Sequence, residues 1–317
     1  MLIPPTRQQG IVLVIVLWII TLLSIMAASF SYSMRTETLL TVHSVERAQA
    51  RALAEAGIVY AMMQVLNPNP NQQQLRWIDG EIREWRYGSA LLRINATDAG
   101  GKVDLNRADR NLLGGLLQHA GVAEDALDSV LDAIEDWRDP DDLPRLNGAE
   151  SAAYQAAGRA AGPTNMPFTS VEELQQVLGI TAAVYHKLAP WLTVHAYQPG
   201  VDPTIASATV LRAMPGVDPA AVDEYIAARA ESSAEGLPPP PPPALGPYLS
   251  PSRGLAYHIT VEAQLDTGVA TSITAVVSLQ GAPTGRPVPG NNELRQRQYS
   301  LLVWREGRQP TVYRSSN

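Results

Sequence analysis

Acidic side chains concentrate around Trp137, near the middle of the chain, and their type and spacing suit the binding of a hard cation. Carboxylate oxygens are ligands that Ca²⁺ prefers in proteins. The candidate calcium ligands are Asp136, Asp139, Asp141 and Glu150. They do not form an EF-hand, because no Asp-x-Asp-x-Asp-Gly run is present. The alternative is a solvated acidic turn at a helix end, where Pro140 and Pro144 interrupt the helix.

The residue types that catalysis needs are missing or badly spaced. The chain has no Cys, which excludes disulfides, thiolate metal sites and Cys nucleophiles. It contains no G-x-S-x-G elbow and no Gly-rich phosphate loop. No two histidines are spaced to share one helix face: His43, His119, His186, His195 and His258. We therefore predict no catalytic residues, no enzymatic activity and no required cofactor, with structural calcium as the candidate ligand.

The charge balance of the chain argues against binding to nucleic acid. The 317 residues carry a net charge of −7 at pH 7, with a pI near 5.3. Between residues 101 and 236 there are nine Lys and Arg but twenty Asp and Glu, a net charge of −11. A protein that binds DNA without sequence preference needs several cations beside the phosphates.

The N-terminal stretch predicts a membrane-spanning helix. No charged residue lies between Arg7 and Arg35, and residues 11–28 are almost entirely apolar. A helix of that length crosses the hydrocarbon core of a bilayer, which is about 30 Å thick. A secretory signal peptide with a cleavage region around Ala28 is the alternative, but its apolar core would span only about 7–15 residues.

The helical pattern continues beyond this apolar stretch. No Pro interrupts the chain between Ile11 and Asn67, and Pro68 ends the pattern. One continuous helix on the order of 80 Å long is expected, at about 1.5 Å per residue. Its second half is amphipathic, and we expect it to pack against a sheet. We expect its apolar stripe to pack first on that sheet and partly on neighbouring helices; the stripe consists of Leu39, Val42, Val45, Leu53, Ala56, Val59, Tyr60, Met63 and Leu66.

Strand patterns lie on both sides of a helical block. Residues 85–98 alternate in polarity and are expected to be extended. Residues 255–279 alternate likewise, and Asp266-Thr267-Gly268 within them predicts a hairpin turn. A last alternating run covers residues 298–305. We therefore predict an α+β fold in which a long helix packs on an antiparallel sheet and an all-helical domain is inserted into the sheet domain.

The helical block, residues 101–236, is internally similar. Residues 103–108 and 201–206 match, and each is followed by a helix, a Gly-apolar step and a second helix. Residues 170–180 have a similar form. These pieces resemble helix-hairpin-helix units, which are usually associated with the DNA backbone, so a membrane-anchored DNA-binding protein is the alternative function. After the block, the prolines at 238–243 indicate a stiff spacer.

The start of the chain resembles that of type IV prepilins. A short polar segment ends in Gly10 and is followed by Ile11 and the long apolar helix. In that family a membrane peptidase cuts after the Gly and methylates the new N-terminus, which implies cleavage between Gly10 and Ile11 and methylation of Ile11. The family's fifth mature residue is Glu, whereas here it is Ile15. Because a carboxylate within the bilayer needs a partner, Ile15 suits a subunit at the tip.

Several segments resemble the general secretion pathway protein K family, the minor pseudopilins of type II secretion. These are residues 101–106, 134–142, 147–150 and 165–174. The resemblance implies a pilin-like fold and a subunit that initiates or caps the periplasmic pseudopilus and supports export of folded proteins across the outer membrane. It implies as partners the minor pseudopilins I, J and H, the major pseudopilin and prepilin peptidase. It also implies calcium, a single pass through the inner membrane and a periplasmic C-terminal domain.

These observations divide the chain into six expected parts. They are a leader peptide at 1–10, the transmembrane part of the helix at 11–34, the periplasmic helix with the first strands at 35–100, the inserted helical domain at 101–236, the Pro-rich linker at 237–252 and the C-terminal strands at 253–317.

Overall fold

The computed structural model describes residues 9–65, 78, 80–250, 256–278 and 299–307. Most of the predicted leader, the end of the predicted linker and much of the C-terminal part lie outside the described residues.

A single helix, α1 (Gln9–Val65), occupies the N-terminal part of the chain. It has 57 residues and is therefore about 85 Å long, as the uninterrupted pattern predicts. Only its C-terminal third is buried against the rest of the protein, through Ala50, Ala54, Ile58 and Ala61.

The face of α1 that packs on the sheet differs from the predicted stripe. Six members of that stripe are exposed: Leu39, Val42, Val45, Ala56, Val59 and Met63. The sheet presents branched side chains to the helix, so the helix approaches through small residues instead. A Cβ atom at Gly57 would lie 2.7 Å from Cγ1 of Val261, which shows how close the two backbones are.

The sheet beneath α1 has five antiparallel strands in the order β1-β2-β5-β6-β7. Residues 85–98, which were expected to be extended, contribute to two strands, because a turn with Gly88 at φ +59° divides them. The hairpin turn predicted at 266–268 is confirmed, with Gly268 at φ +86°. The strands are β1 (Arg83–Tyr87), β2 (Ala90–Asp98), β5 (Ala256–Gln264), β6 (Ala270–Ser278) and β7 (Ser300–Glu306).

Alternation along the strands gives the sheet two unlike faces. The face toward α1 is apolar and contains Leu92, Ile94, Ile259, Val261, Ile273 and Val277. The opposite face carries polar side chains from the same strands, including Arg93, Asn95, Thr97, His258, Thr260 and Glu262. The helical block lies against this second face.

The helical block is inserted between β2 and β5. It contains a short parallel pair, β3 (Val103–Asp104) and β4 (Leu192–Thr193). Its helices are α2 (Arg110–Ala120), α3 (Glu124–Arg138), α4 (Ser151–Ala156), α5 (Ala182–Leu188), α6 (Ala208–Arg212) and α7 (Pro219–Glu235). They enclose a core of their own around Trp137, which is 1% exposed and stacks on Phe168.

The internal similarity of the block is present in its backbone. Asp104 and Asp202 each accept a hydrogen bond from the N–H two residues later, at 2.8 and 2.9 Å. Each also begins a turn that leads into a helix, α2 or α6, and a glycine with positive φ follows that helix, at Gly121 or Gly216. The repeated units pack closely, since a Cβ atom at Gly115 would collide with the carbonyl oxygen of Ala213.

The predicted spacer after the block is shorter than expected. Leu245 is 1% exposed and belongs to the core of the helical block. Gly200 and Val201 also bond to the segment that follows, through Ser250 and Tyr248. Residues 245–250 are therefore packed on the block rather than forming part of a free linker.

Candidate functional site

The predicted processing and tip positions lie at the start of α1. Gly10, Ile11 and Ile15 are all helical, and Ile15 is exposed. Among the described residues, one helix, spanning Ile11–Val65, is long and apolar enough to cross a membrane, and none of its most apolar window is buried in the protein. The apolar side chains of this segment therefore have no partner within the described part of the chain.

A second apolar surface runs along the part of α1 that follows. Val45, Val59 and Met63 are all exposed and lie on the side of the helix away from Ala54 and Ile58. We call these three residues the outer face of α1. Because α1 presents apolar side chains both to its own sheet and away from it, the outer face is suited to contact with another apolar helix.

The acidic cluster lies in the turn between α3 and α4, residues 139–150, which we call the acidic turn. Asp136, in the last turn of α3, is fully buried. Its carboxylate accepts hydrogen bonds from the backbone N–H groups of Arg145 and Ala149, at 3.2 and 2.8 Å. Gly148 lies against the same carboxylate, where a Cβ atom would collide with it. Asp136 therefore holds the turn against the helix.

Two other candidate ligands keep buried oxygens that accept no hydrogen bond. These are Oδ1 of Asp139 and both carboxylate oxygens of Glu150. Oδ1 of Asn165 is unpartnered as well. Burial raises the pKa of Glu150, and the negative charges of Asp136 and Asp139 raise it further. Burial, followed by the charge of Asp141, also raises the pKa of Asp139.

The remaining acidic residues of the turn are exposed. Asp141 accepts a hydrogen bond from the N–H of Leu143 at 2.9 Å, and Asp142 accepts one from the side-chain amide of Asn165 at 2.7 Å. Among the described residues, no three Asp, Glu or His side chains converge as a ready metal cluster. Carboxylate and amide oxygens such as those left unpartnered on Asp139, Glu150 and Asn165 are the kinds of ligand that a hard cation takes.

Among the described residues, arginines form ion pairs with some carboxylates of the cluster but not with Glu150. Arg145 pairs with Glu135 at 3.1 Å and with Asp139 Oδ2 at 3.4 Å. Arg110 pairs with Asp132 at 2.7 Å.

The sequence did not point to Asn165 as a member of the site. Asn165 lies far along the chain from the acidic turn, although it begins a segment that the sequence singled out for its resemblance.

Comparison with known proteins supports the family suggested by the sequence. Residues 91–199 match the family model described as type II secretion system (T2SS), protein K. A type II secretion system protein K of Klebsiella pneumoniae is 26% identical over 204 residues, which cover 59% of this chain and 62% of that protein. That of Pectobacterium carotovorum is 26% identical over 211 residues, covering 59% and 63%. Residues 91–199 are therefore similar to the type II secretion system protein K family.

The matched structure extends the likeness beyond residues 91–199. A chain of the crystal structure of the GspK-GspI-GspJ complex from enterotoxigenic Escherichia coli superposes with a TM-score of 0.59. The superposition covers 87% of this chain and 99% of that one, at 16% sequence identity. The predicted α+β fold, with its long helix and inserted helices, is therefore shared with that chain. The sequence alignments span somewhat less than two thirds of the length of the protein K relatives described above.

Proposed function

We propose that the protein is a minor pseudopilin of type II secretion that assembles at the tip of the periplasmic pseudopilus. The observation that carries this proposal is α1: its first part suits lipid, and its outer face extends the apolar surface past the membrane. A filament built by packing such helices side by side buries both surfaces. The role is structural, and no catalytic step is part of it.

The position of the helical block favours the tip. The block joins the sheet at Asp98 and Ala256, which lie at one end of their strands. Arg51, on the membrane side of the packed part of α1, pairs with Glu306 at 2.7 Å, and Glu306 lies opposite Ile273 toward the other end of the sheet. The block therefore extends away from the membrane, where it would obstruct the addition of a further subunit.

Ile15 favours the same position. A carboxylate in the bilayer is costly unless it is paired, and Ile15 needs no such partner. We propose that the protein therefore joins without an existing subunit above it, together with the minor pseudopilins I, J and H and ahead of the major pseudopilin. We also propose that prepilin peptidase cuts between Gly10 and Ile11 and that the C-terminal part lies in the periplasm.

Mass spectrometry of the mature N-terminus tests this proposal. Membranes are compared from cells with and without prepilin peptidase. We expect a methylated Ile11 start that depends on the peptidase. A start near Ser29, as in a secreted protein, or an uncut Met1 in both strains would overturn the assignment.

An Ile15→Glu variant tests the tip position separately, with Ile15→Leu as its control. The carboxylate would need a partner from a neighbouring subunit, so we expect Ile15→Glu to reduce secretion while Ile15→Leu does not. Secretion and tip assembly that are normal in both variants would show that the missing carboxylate is not what positions the subunit.

We further propose that the acidic turn holds a structural calcium ion. The unpartnered oxygens of Asp139, Glu150 and Asn165 support this, with Asp141 in the same turn and Asp136 beside it at the end of α3. When bound, the ion supplies positive charge that neutralises the buried carboxylates. A calcium titration of the full chain should raise its melting temperature. A melting temperature unchanged between EGTA and millimolar calcium would remove calcium from the proposal.

A further inference from the structure

A cavity of about 730 Å³ separates the polar face of the sheet from the helical block. Its floor comes from β2, β5, β6 and β7, and its other wall comes from β4 and the residues around it. This volume is within the range of roughly 300–1,000 Å³ that is typical of small-molecule sites.

The strand register orders the floor of the cavity into rows. The row nearest the block contains Thr97, His258, Val276 and Val303. The next row contains Asn95, Thr260, Thr274 and Arg305. Leu192 and Val194 complete the apolar part of the opposite wall. The cavity therefore combines apolar wall residues with a floor of hydroxyl and amide groups.

Three basic groups meet at the inner end. The imidazole rings of His195 and His258 have centroids 6.0 Å apart, and Nε2 of His258 lies 3.2 Å from Oγ1 of Thr193. Lys102 also lines the cavity, and within the described part of the chain its ammonium group has no ion-pair partner. Burial lowers the pKa of Lys102 to about 8. Burial, then the charges of Lys102 and His195, lowers the pKa of His258 well below its usual value.

The other charges around the cavity are already engaged. Arg305 bonds to Glu172, with Nη2 to Oε2 at 3.0 Å, and Arg93 lies 3.7 Å from Glu262. Asp104 is the carboxylate that acts on His195, but its two oxygens accept the backbone N–H groups of Asn106 and Tyr197, each at 2.8 Å. Lys102 is thus the cation at the inner end that has no ion-pair partner among the described residues.

We infer that this cavity binds a small organic anion, with its carboxylate beside Lys102, His195 and His258 and its apolar part against Leu192, Val194 and Val276. A carboxylate there would supply the counter-charge that Lys102 lacks and accept hydrogen bonds from it. The apolar body would displace water from the aliphatic walls. This site is separate from the acidic turn and does not depend on the position of the protein in a filament.

The chain offers an internal control, because Lys102 and Lys187 are its only lysines. The full chain, labelled with [¹³Cε]-lysine and held in dodecyl maltoside micelles, would show two lysine signals by NMR. Hexanoate is the probe, and hexanol is the uncharged control. We expect hexanoate to shift the Lys102 signal in a saturable way and to raise the Lys102 pKa, because an anion favours the protonated form. The Lys187 signal should not change.

Two variants complete the test. Lys102→Met should weaken hexanoate binding at least tenfold by calorimetry, whereas Lys187→Met should leave it unchanged. If Lys102→Met fails to fold, the NMR titration of the Lys102 signal with hexanoate in the wild-type chain still tests the inference. The inference would be overturned if both lysine signals shifted equally, or if hexanol and hexanoate had equal effects. It would also be overturned if the Lys102 signal did not shift at about 20 mM hexanoate, a concentration that would occupy even a site with a millimolar Kd.

Discussion

The acidic turn and the cavity under the sheet bury ionisable groups of opposite sign. In the turn, Asp139 and Glu150 keep carboxylate oxygens without hydrogen-bond partners; in the cavity, Lys102 has no carboxylate partner among the described residues. A buried charge without a partner raises the free energy of the folded state. The turn is built mainly by consecutive residues, whereas the cavity joins Lys102, His195 and His258 from distant parts of the chain. Each region therefore favours a counterion, cationic in one and anionic in the other.

The largest effect on stability is expected for Asp136, which holds the acidic turn in place through hydrogen bonds and need not contact a bound ion to do so. Asp136→Ala leaves the N–H groups of Arg145 and Ala149 without their acceptor. We expect a loss of about 3 kcal/mol in the free energy of unfolding, measured by urea denaturation with and without calcium. The control Asp141→Ala changes an exposed residue and should cost much less. A loss that occurs only with calcium would mean that Asp136 acts through the ion.

Lys102→Met tests the cavity by removing its unpaired charge. Because the pKa of Lys102 falls from 10.5 to about 8, the unfolded chain binds more protons between these values, and wild-type stability should rise with pH across that range. The variant should be more stable than wild type at pH 7, by about 2 kcal/mol, and should lack this rise. Lys187→Met, at an exposed position, is the matched control. An unstabilised Lys102→Met protein would contradict a buried, unpaired ammonium group.

Glu150→Gln tests the acidic turn by removing one of its buried carboxylates, and the melting temperature is compared with and without calcium. Without calcium, the variant removes a carboxylate whose raised pKa reports burial and repulsion, so we expect a gain of about 1 kcal/mol. With calcium, the variant should lose the stabilisation that the ion gives to wild type, so the order of melting temperatures reverses. The same order with and without calcium would place Glu150 outside the ion site.

The smallest expected effect is a dependence on pH from the cavity histidines. The pKa values of His195 and His258 are lowered, by burial first, so below about pH 6.5 the unfolded chain binds protons that the folded protein does not. The contribution of these neutral histidines to the free energy of unfolding is complete above that pH and decreases as the pH falls. Between pH 7.5 and 5.5 we expect a loss of about 1 kcal/mol. Stability of the His258→Gln variant should fall less over this range; an equal decrease would assign the loss to other groups.

Local patterns in the sequence predicted much of the fold. The absence of Pro predicted α1, and Gly268 marked the turn between β5 and β6. The helix face on the sheet was predicted only in part. Leu53 and Tyr60 of the expected stripe pack there, but the contact selects mainly small residues such as Ala50 and Gly57. That choice depends on the shape of the sheet, which the helix sequence does not contain.

The acidic turn and the cavity differ in how far the sequence could predict them. The acidic residues around Trp137 are adjacent in sequence, so their proximity could be predicted, although Asn165 was missed. The cavity could not be predicted, because Lys102 and His258 are brought together only by the pairing of β2 with β5 and by the insertion between them. Lys102 lies in a segment that the sequence singled out for its resemblance, but nothing in that segment indicates a cavity.

The length of α1 between the membrane and the sheet has a geometric consequence. From Arg35 to Gln49 the helix is almost wholly exposed, and its burial against the sheet begins at Ala50. An α-helix turns by about 100° per residue. Removing seven residues from this segment would bring the periplasmic part about 10 Å closer to the bilayer while rotating it by only about 20°. Removing two would move it by about 3 Å but rotate it by about 160°. The number of residues in this exposed segment therefore fixes the azimuth of the sheet and the helical block about the axis of the anchor.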